Sequence, residues 1–167
     1  MKKFSLIITT AVLITGGFAV PSAFGMPDIS IIEANCVSAQ SVLNQIQKAD
    51  TGSRINRGYD YNEILNLMFA MNARLSVNKI AAPTLTDLAS QLEHNLAKFR
   101  SDYDSYADTL SSVLNVKCTN RPLDFYSRLE IARTARETLS RDVAALDQNI
   151  KDYYDQFDII IKGTGRQ

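Results

Sequence analysis

Two cysteines, Cys36 and Cys118, are the side chains with the clearest chemistry in this sequence. Two thiols allow a single intramolecular disulfide. Proteins exported to an oxidising compartment commonly pair their cysteines, whereas cytosolic proteins keep them reduced. Free reactive thiols are the alternative. Because the sequence begins with an export signal, described below, we predict a structural Cys36–Cys118 disulfide, which should contribute on the order of 4 kcal/mol to stability.

His94 is the single histidine, and it follows Glu93 near the flank of a predicted helix. A metal site would need further ligands of suitable type and geometry, for which Glu63 and Asp87 are the nearest candidates. The sequence has no C-x-x-C-H, H-E-x-x-H or phosphate-binding glycine motif. We therefore expect His94 to lie on a solvated helix flank, and we predict no metal and no cofactor.

The sequence also contains no recognisable set of catalytic residues. No serine occupies a G-x-S-x-G nucleophile motif. Asp102 and Asp104 are two residues apart, so on a helix their carboxylates point in different directions and do not form an acid–base pair. A long, narrow helical bundle also rarely encloses the concave pocket that catalysis uses. We therefore predict that the protein is not an enzyme.

The N-terminus has the composition of a secretory signal peptide. Lys2 and Lys3 precede an apolar stretch over 4–20, and Ala23 and Gly25 place small residues at the two positions that a signal peptidase inspects. We expect cleavage after Gly25. Retention of the apolar stretch as a membrane anchor is the alternative.

Cleavage there would separate a signal peptide, 1–25, from a single domain, 26–167, which is long enough for one modest core. The full chain has 18 basic and 18 acidic side chains, and loss of Lys2 and Lys3 leaves 16 against 18, a net charge of about −2. That balance argues against a nucleic-acid partner. We predict an exported protein, in a periplasm-like space, on the cell surface or secreted, with no membrane span after signal cleavage.

Apolar residues recur at intervals of three and four, the pattern of helices that pack as in a coiled coil. In the predicted second helix, 85–116, they are Leu85, Leu88, Leu92, Leu96, Phe99, Tyr103, Tyr106, Leu110 and Val113. In the predicted third helix, 122–162, the stripe consists of Phe125, Leu129, Ala132, Arg136, Leu139, Val143, Leu146, Ile150, Tyr153, Phe157 and Ile160.

The first helical region, 30–79, has two shorter stripes on either side of a polar segment over 51–59. Gly52 and Gly58 lie in that segment, and each glycine is unfavourable inside a helix by about 1 kcal/mol. We therefore expect the first helix to be broken over 51–59. A frayed but continuous helix is the alternative.

Short connections make neighbouring helices antiparallel. The sequence therefore predicts an all-α fold, an elongated up-down-up three-helix bundle, or four helices if the break is sharp. In this topology Cys36 lies near the start of the first helix and Cys118 lies after the end of the second. Both cysteines fall at the same end of the bundle, and the opposite turn, near 80–85, has no covalent link.

Arg136 is the one charged member of the stripe in the third helix, and it is the candidate for a buried polar residue. Its aliphatic stem can pack while the guanidinium reaches the bundle edge or a carboxylate. Asp102, Asp108 and Glu63 are the candidate partners. The alternative is that Arg136 fixes the helix register or recognises an anion within the bundle.

Four side chains near the polar segment are candidates for a partner surface: Tyr59, Tyr61, Met68 and Phe69. Aromatic side chains with a polar tip are common at interfaces, and methionine adapts readily to a bound surface. Core packing is the alternative, because the helical spacing of these residues also suits a buried face.

Several short motifs together form a recognisable order along the chain. They are a signal peptide, Cys36, the run Phe99-Arg-Ser-Asp102-Tyr103-Asp-Ser-Tyr106, Cys118, Phe125, Ala132-Arg133 and Arg141-Asp142. In this the chain resembles a group of uncharacterised exported, coiled-coil-like helical proteins from reduced-genome, candidate-phylum bacteria. It departs from them over 51–59, where they continue as polar helix. The resemblance implies a helical exported protein and implies no activity.

These observations favour a non-enzymatic helical-bundle scaffold or protein–protein interaction module of the cell envelope or exterior, with an unknown protein partner. The alternative is an envelope carrier or chaperone-like bundle that holds an apolar ligand or an unfolded chain between its helices. An open groove near Met68 and Phe69 would favour the carrier, whereas a closed core would favour the scaffold. Homo-oligomerisation is expected if off-stripe residues such as Ile31 and Leu67 share an exposed face.

Overall fold

The computed structural model describes residues 28–164, so the expected signal peptide over 1–25 lies outside the described residues. The described residues form three helices, α1 (Ile29–Val77), α2 (Pro83–Leu114) and α3 (Pro122–Thr164), and no strand. The predicted all-α three-helix fold is confirmed.

Helix α1 is continuous over 49 residues, so the predicted break over 51–59 is wrong. Gly52 and Gly58 lie in open surroundings, where an added Cβ would have no atom within 4 Å. The helix is held on both sides of these glycines, by the disulfide at Cys36 and by buried residues from Tyr61 onward. Because tertiary packing supplies most of the stability of a helix in a protein, two exposed glycines do not interrupt it.

Helices α1 and α2 run antiparallel and in register. Cys36 meets Cys118 at one end, the Gln47 side chain donates a hydrogen bond to Ser111 (3.1 Å) midway, and Asn72 donates to the Leu85 carbonyl (3.2 Å) at the other end. Helix α3 then returns alongside both. The up-down-up order is therefore confirmed.

The core follows the predicted stripe of α2 closely. The buried residues of α2 are Leu85, Ala89, Leu92, Leu96, Phe99, Tyr103, Tyr106, Leu110 and Val113. Ala89 is buried in place of the predicted Leu88, which is half-buried. On α3 the buried hydrophobic positions recur every seven residues, at Phe125, Ala132, Leu139, Leu146 and Tyr153. The largest interface is that between α2 and α3, and the smallest is that between α1 and α3.

The disulfide joins Cys36 and Cys118 as predicted, with a Cα–Cα distance of 5.5 Å. Both cysteines are 1% exposed and belong to a small hydrophobic cluster with Val113, Val116 and Phe125. One end of α1 is therefore attached to the turn between α2 and α3 by both a covalent bond and apolar packing.

The opposite end is held without a covalent link. Helix α1 ends at a turn in which Lys79 adopts a positive φ of 60° and the Ile80 amide donates to the Leu75 carbonyl (2.9 Å). The fully buried Tyr153 hydroxyl lies 2.8 Å from Asn72 Oδ1 and 3.0 Å from the Met68 carbonyl oxygen, which ties α3 to α1 here.

Candidate functional site

The middle of α1 contributes no buried residue between Val37 and Asp60, although this part of the helix faces α2 and α3. Leu43 and Ile46 pack against the core there as partly buried side chains, and polar contacts accompany them. The Gln40 side chain donates to the Val116 carbonyl (2.8 Å), and Arg54 pairs with Asp104 (3.0 Å). Between Ile46 and Tyr61, helix α1 is thus held by polar side chains.

Asp50 is the centre of these polar contacts. Its Oδ2 accepts a hydrogen bond of 2.6 Å from the Tyr106 hydroxyl of α2, and its Oδ1 lies 3.1 Å from Nη2 of Arg136 on α3. Burial and the neighbouring Asp50 raise the pKa of the Tyr106 hydroxyl well above its ordinary value, so Tyr106 remains a donor at neutral pH. A single carboxylate therefore connects all three helices.

Two cavities of about 240 Å³ each lie between α1 and α3, and both have Tyr106 and Arg136 in their walls. We call the first the basic cleft: it has Arg54, Arg57 and Arg136 at its rim and Phe99, Tyr103 and Leu139 among its lining. We call the second the apolar cavity: its lining includes Leu43, Ile46, Leu110 and Leu129, and it lies toward the disulfide end. A further cavity of about 420 Å³ lies between α1 and α2.

The predicted interaction residues divide into two pairs. Tyr61 and Met68 are 5% and 1% exposed, so they belong to the core and their assignment to a partner surface is wrong. They follow the α1 stripe that packs on α2, with Tyr61 edge-on to Phe99 at 6.3 Å between ring centroids. The Tyr61 hydroxyl donates to Asp147 (2.9 Å). The core near Met68 is closed.

Tyr59 and Phe69, the other pair, are 66% and 42% exposed. They lie on what we call the outer stripe of α1: Val37, Ser41, Asn44, Lys48, Thr51, Ile55, Tyr59, Asn62, Asn66, Phe69, Ala73 and Val77. At 3.6 residues per turn, these positions fall within an arc of about 80°. All are exposed except the half-buried Asn62. From Thr51 to Val77 the outer stripe has no charged side chain.

The exposed side of α3 has a different composition. It carries ion pairs between successive helical turns, such as Lys151–Asp155 (2.6 Å) and Arg133–Glu130. Such pairs are typical of a helix face that remains in water. Exposed apolar residues of α3, such as Ile131 and Ile159, stand beside charged side chains, whereas the outer stripe has none from Thr51 to Val77. It is therefore the described helix face whose composition best matches an interface core.

Arg136 is not buried, contrary to its selection as a buried polar residue: its side chain is 53% exposed. Its guanidinium does reach a carboxylate on a facing helix, but the partner is Asp50 and not Asp102, Asp108 or Glu63. A break beginning at residue 51 would leave Asp50 at a helix end, and it is the continuous helix that directs Asp50 toward α2 and α3. The signal was in the sequence, since Asp50, Arg54 and Arg57 continue the helical spacing between the two apolar stripes of α1.

The buried polar groups of the described residues are Asp142 and Asn149 on α3, each 7% exposed, and the sequence reasoning did not select them. Lys98 of α2 pairs with Asp142, and Asn95 donates to Asn149. These contacts form a polar layer in the interface between α2 and α3. One oxygen of this layer, Asp142 Oδ2, is buried without a hydrogen-bond partner among the described residues. A cavity of about 390 Å³ lies beside the layer, with Asn95, Lys98 and Asp142 in its lining.

His94 is exposed, as expected. Among residues 28–164 no group of three or more histidine, cysteine, aspartate or glutamate side chains could hold a metal ion. None of the described helices has the length and apolar composition that a membrane span requires.

No family model, curated protein or solved structure matches the chain. The similarity to exported bacterial helical proteins stays a resemblance in short motifs. Function is therefore argued from the outer stripe and from the cavities beside the middle of α1.

Proposed function

We propose that this protein is an exported, non-enzymatic helical bundle that binds another protein through the outer stripe of α1. The observation that supports the proposal is the set of exposed apolar side chains, Ile55, Tyr59, Phe69 and Val77, on a stripe that has no charged member from Thr51 to Val77. Interface cores are enriched in aromatic residues and depleted in charged ones. Faces that remain in water are usually charged.

The partner segment that fits this surface is an amphipathic helix. The outer stripe advances by intervals of three and four, so a second helix with apolar residues at the same spacing can follow it for its whole length. At about 1.5 Å per residue, the charge-free part extends for roughly 40 Å, or seven to eight helical turns. A partner helix would bury apolar side chains that water now surrounds, which drives association.

Export supports the same proposal. A disulfide buried at 1% exposure between two distant segments is compatible with an oxidising compartment. A stapled bundle also presents a long helix as a rigid surface, which lowers the entropy cost of binding.

Site-specific photo-crosslinking in the native host tests the proposal. A photoreactive phenylalanine analogue in place of Tyr59 or Phe69 should crosslink one and the same polypeptide. The analogue in place of Tyr154, which is 45% exposed on α3, is the matched control and should not crosslink it. An Ile55→Glu substitution should abolish the product, because it places a charge in the middle of the stripe.

The result also identifies the partner class. Crosslinks of equal yield from Tyr154, or none from the outer stripe, would contradict the proposal. A product with the mass of two copies of this chain, together with a dimer in solution, would show that the stripe joins identical subunits and would overturn the assignment to a different protein.

A second function, that of a carrier, is favoured by a different observation. The core near Met68 is closed, but the two cavities beside the middle of α1 are lined by aromatic and aliphatic side chains and open to solvent. A ligand there would lie between α1 and α3, the pair of helices with the smallest interface.

A further inference from the structure

The basic cleft and the apolar cavity together have the composition of a binding site for an amphiphile. The cleft places three guanidinium groups, those of Arg54, Arg57 and Arg136, around a lining that includes the Phe99 and Tyr103 rings. The adjoining apolar cavity is lined largely by aliphatic side chains from all three helices. Ligand sites typically combine an apolar lining with a few polar groups that fix orientation.

The charge of the cleft is positive, although the protein as a whole has equal numbers of basic and acidic side chains. Its lining contains three arginines and one carboxylate, that of Asp50. Asp50 is already bonded to Tyr106 and Arg136. Asp104, which is outside the lining, pairs with Arg54. The cleft therefore has an excess of one positive charge for a ligand.

The three arginines differ in how many of their donor groups are already bonded within the protein. Arg54 pairs with Asp104 and lies over the Tyr103 ring at 4.7 Å from its centroid. Among residues 28–164 Arg57 forms no ion pair with a carboxylate. Its guanidinium interacts with the Tyr61 hydroxyl. Arg57 and the half-exposed Arg136 are thus the cations with donors left for a ligand.

We infer that this site binds an aliphatic chain that ends in one anionic head group, of the fatty-acid class. The head group lies between Arg57 and Arg136, because a planar guanidinium matches a carboxylate through paired hydrogen bonds. The chain extends past Tyr106 into the apolar cavity beside Leu43 and Ile46. This inference specifies the ligand class of the carrier function, and it does not depend on the outer stripe.

Titration calorimetry with the disulfide-intact protein tests this site, using dodecanoate below its micelle concentration as the probe. Dodecanoate should bind with one molecule per chain, and dodecyltrimethylammonium, which has the same tail and the opposite charge, should bind at least ten-fold more weakly. Octanoate should also bind at least ten-fold more weakly, since each buried methylene contributes a factor of roughly four.

Substitutions then assign the head group. Arg57→Gln and Arg136→Gln should each weaken dodecanoate binding about ten-fold or more, whereas Arg141→Gln, an exposed arginine of α3 outside both cavities, should leave it unchanged. Equal affinity for the anionic and cationic probes, or unchanged binding by both arginine variants, would overturn the inference. Failure of dodecanoate binding with intact crosslinking from Tyr59 would reject this site alone and leave the proposed protein partner standing.

Discussion

Asp50 of α1 accepts a hydrogen bond of 2.6 Å from the Tyr106 hydroxyl of α2, at the level of the bundle where α1 has no buried residue. The same carboxylate pairs with Arg136 of α3. This arrangement attaches the middle of a long helix through polar groups. The basic cleft and the apolar cavity both have Tyr106 and Arg136 in their walls.

Removing the Tyr106 hydroxyl should therefore loosen the middle of α1. We expect Tyr106→Phe to lower the free energy of unfolding by about 1.5–3 kcal/mol, the range for a hydrogen bond to a charged group. Urea unfolding measures this. Tyr154→Phe, which alters an exposed ring, is the control and should change stability by less than about 0.5 kcal/mol. Equal effects of the two substitutions would mean that the Asp50 contact does not hold the helix.

The disulfide should be the strongest single constraint on the unfolded chain. It closes a loop with a sequence separation of 82 residues, and its loss through Cys36→Ser with Cys118→Ser should cost on the order of 4 kcal/mol. Guanidinium unfolding of the oxidised protein, the reduced protein and the double variant provides the measurement. The reduced protein and the variant should unfold at nearly the same midpoint, and an unchanged midpoint on reduction would contradict the prediction.

The two glycines of α1 should be replaceable with a gain in stability. Gly52→Ala and Gly58→Ala should each raise the free energy of unfolding by about 0.5–1 kcal/mol, because an added Cβ has open space and alanine favours the helix. Thermal unfolding followed by circular dichroism measures the gain. Gly163→Ala, near the end of α3, should have a smaller effect since the last turn frays. Destabilisation by the α1 substitutions would instead indicate a non-helical segment.

Stability should fall at high pH through Tyr61. Burial, followed by the hydrogen bond to Asp147, raises the pKa of Tyr61 to about 12 from the ordinary value of 10. A raised pKa in the folded state favours the protonated hydroxyl, so the stabilisation is complete below pH 10 and is lost as the pH rises from 10 to 12.

The measurement is urea unfolding at several pH values between 9 and 12. The wild-type protein should lose more stability over this interval than Tyr61→Phe, which cannot ionise at that position. The difference between the two isolates Tyr61 from the other tyrosines. Parallel pH profiles would show that Tyr61 has an ordinary pKa.

The apolar spacing of α2 and α3 was sufficient to predict the helices, their order and the end at which the cysteines meet. Leu85 to Val113 form a buried stripe because a repeat of three and four residues places them on one side of any helix. Cys36 and Cys118 could be paired because two thiols allow one bond and the topology brings them together. Local pattern and chain connectivity decide these features.

The middle of α1 could not be predicted in the same way. Propensity alone disfavours a helix at Gly52 and Gly58, whereas the anchored segments on either side keep it helical. For Tyr61 and Met68 the sequence leaves both a partner surface and the core open, because helical spacing does not say which side faces the neighbouring helices. The sequence pattern includes Arg136 in the apolar stripe of α3, but only part of that stripe becomes fully buried.

The sequence by itself determined the helical class, the disulfide and the bundle order, since these follow from residue spacing and from the number of cysteines. The tertiary structure alone decided that Asp50 meets Tyr106 and Arg136, and that Tyr59 faces solvent while Tyr61 does not. The reason is that the distances between the three helices decide which side chains of one helix are covered by the other two. Those distances depend on how all three helices pack together and cannot be predicted from any single helix.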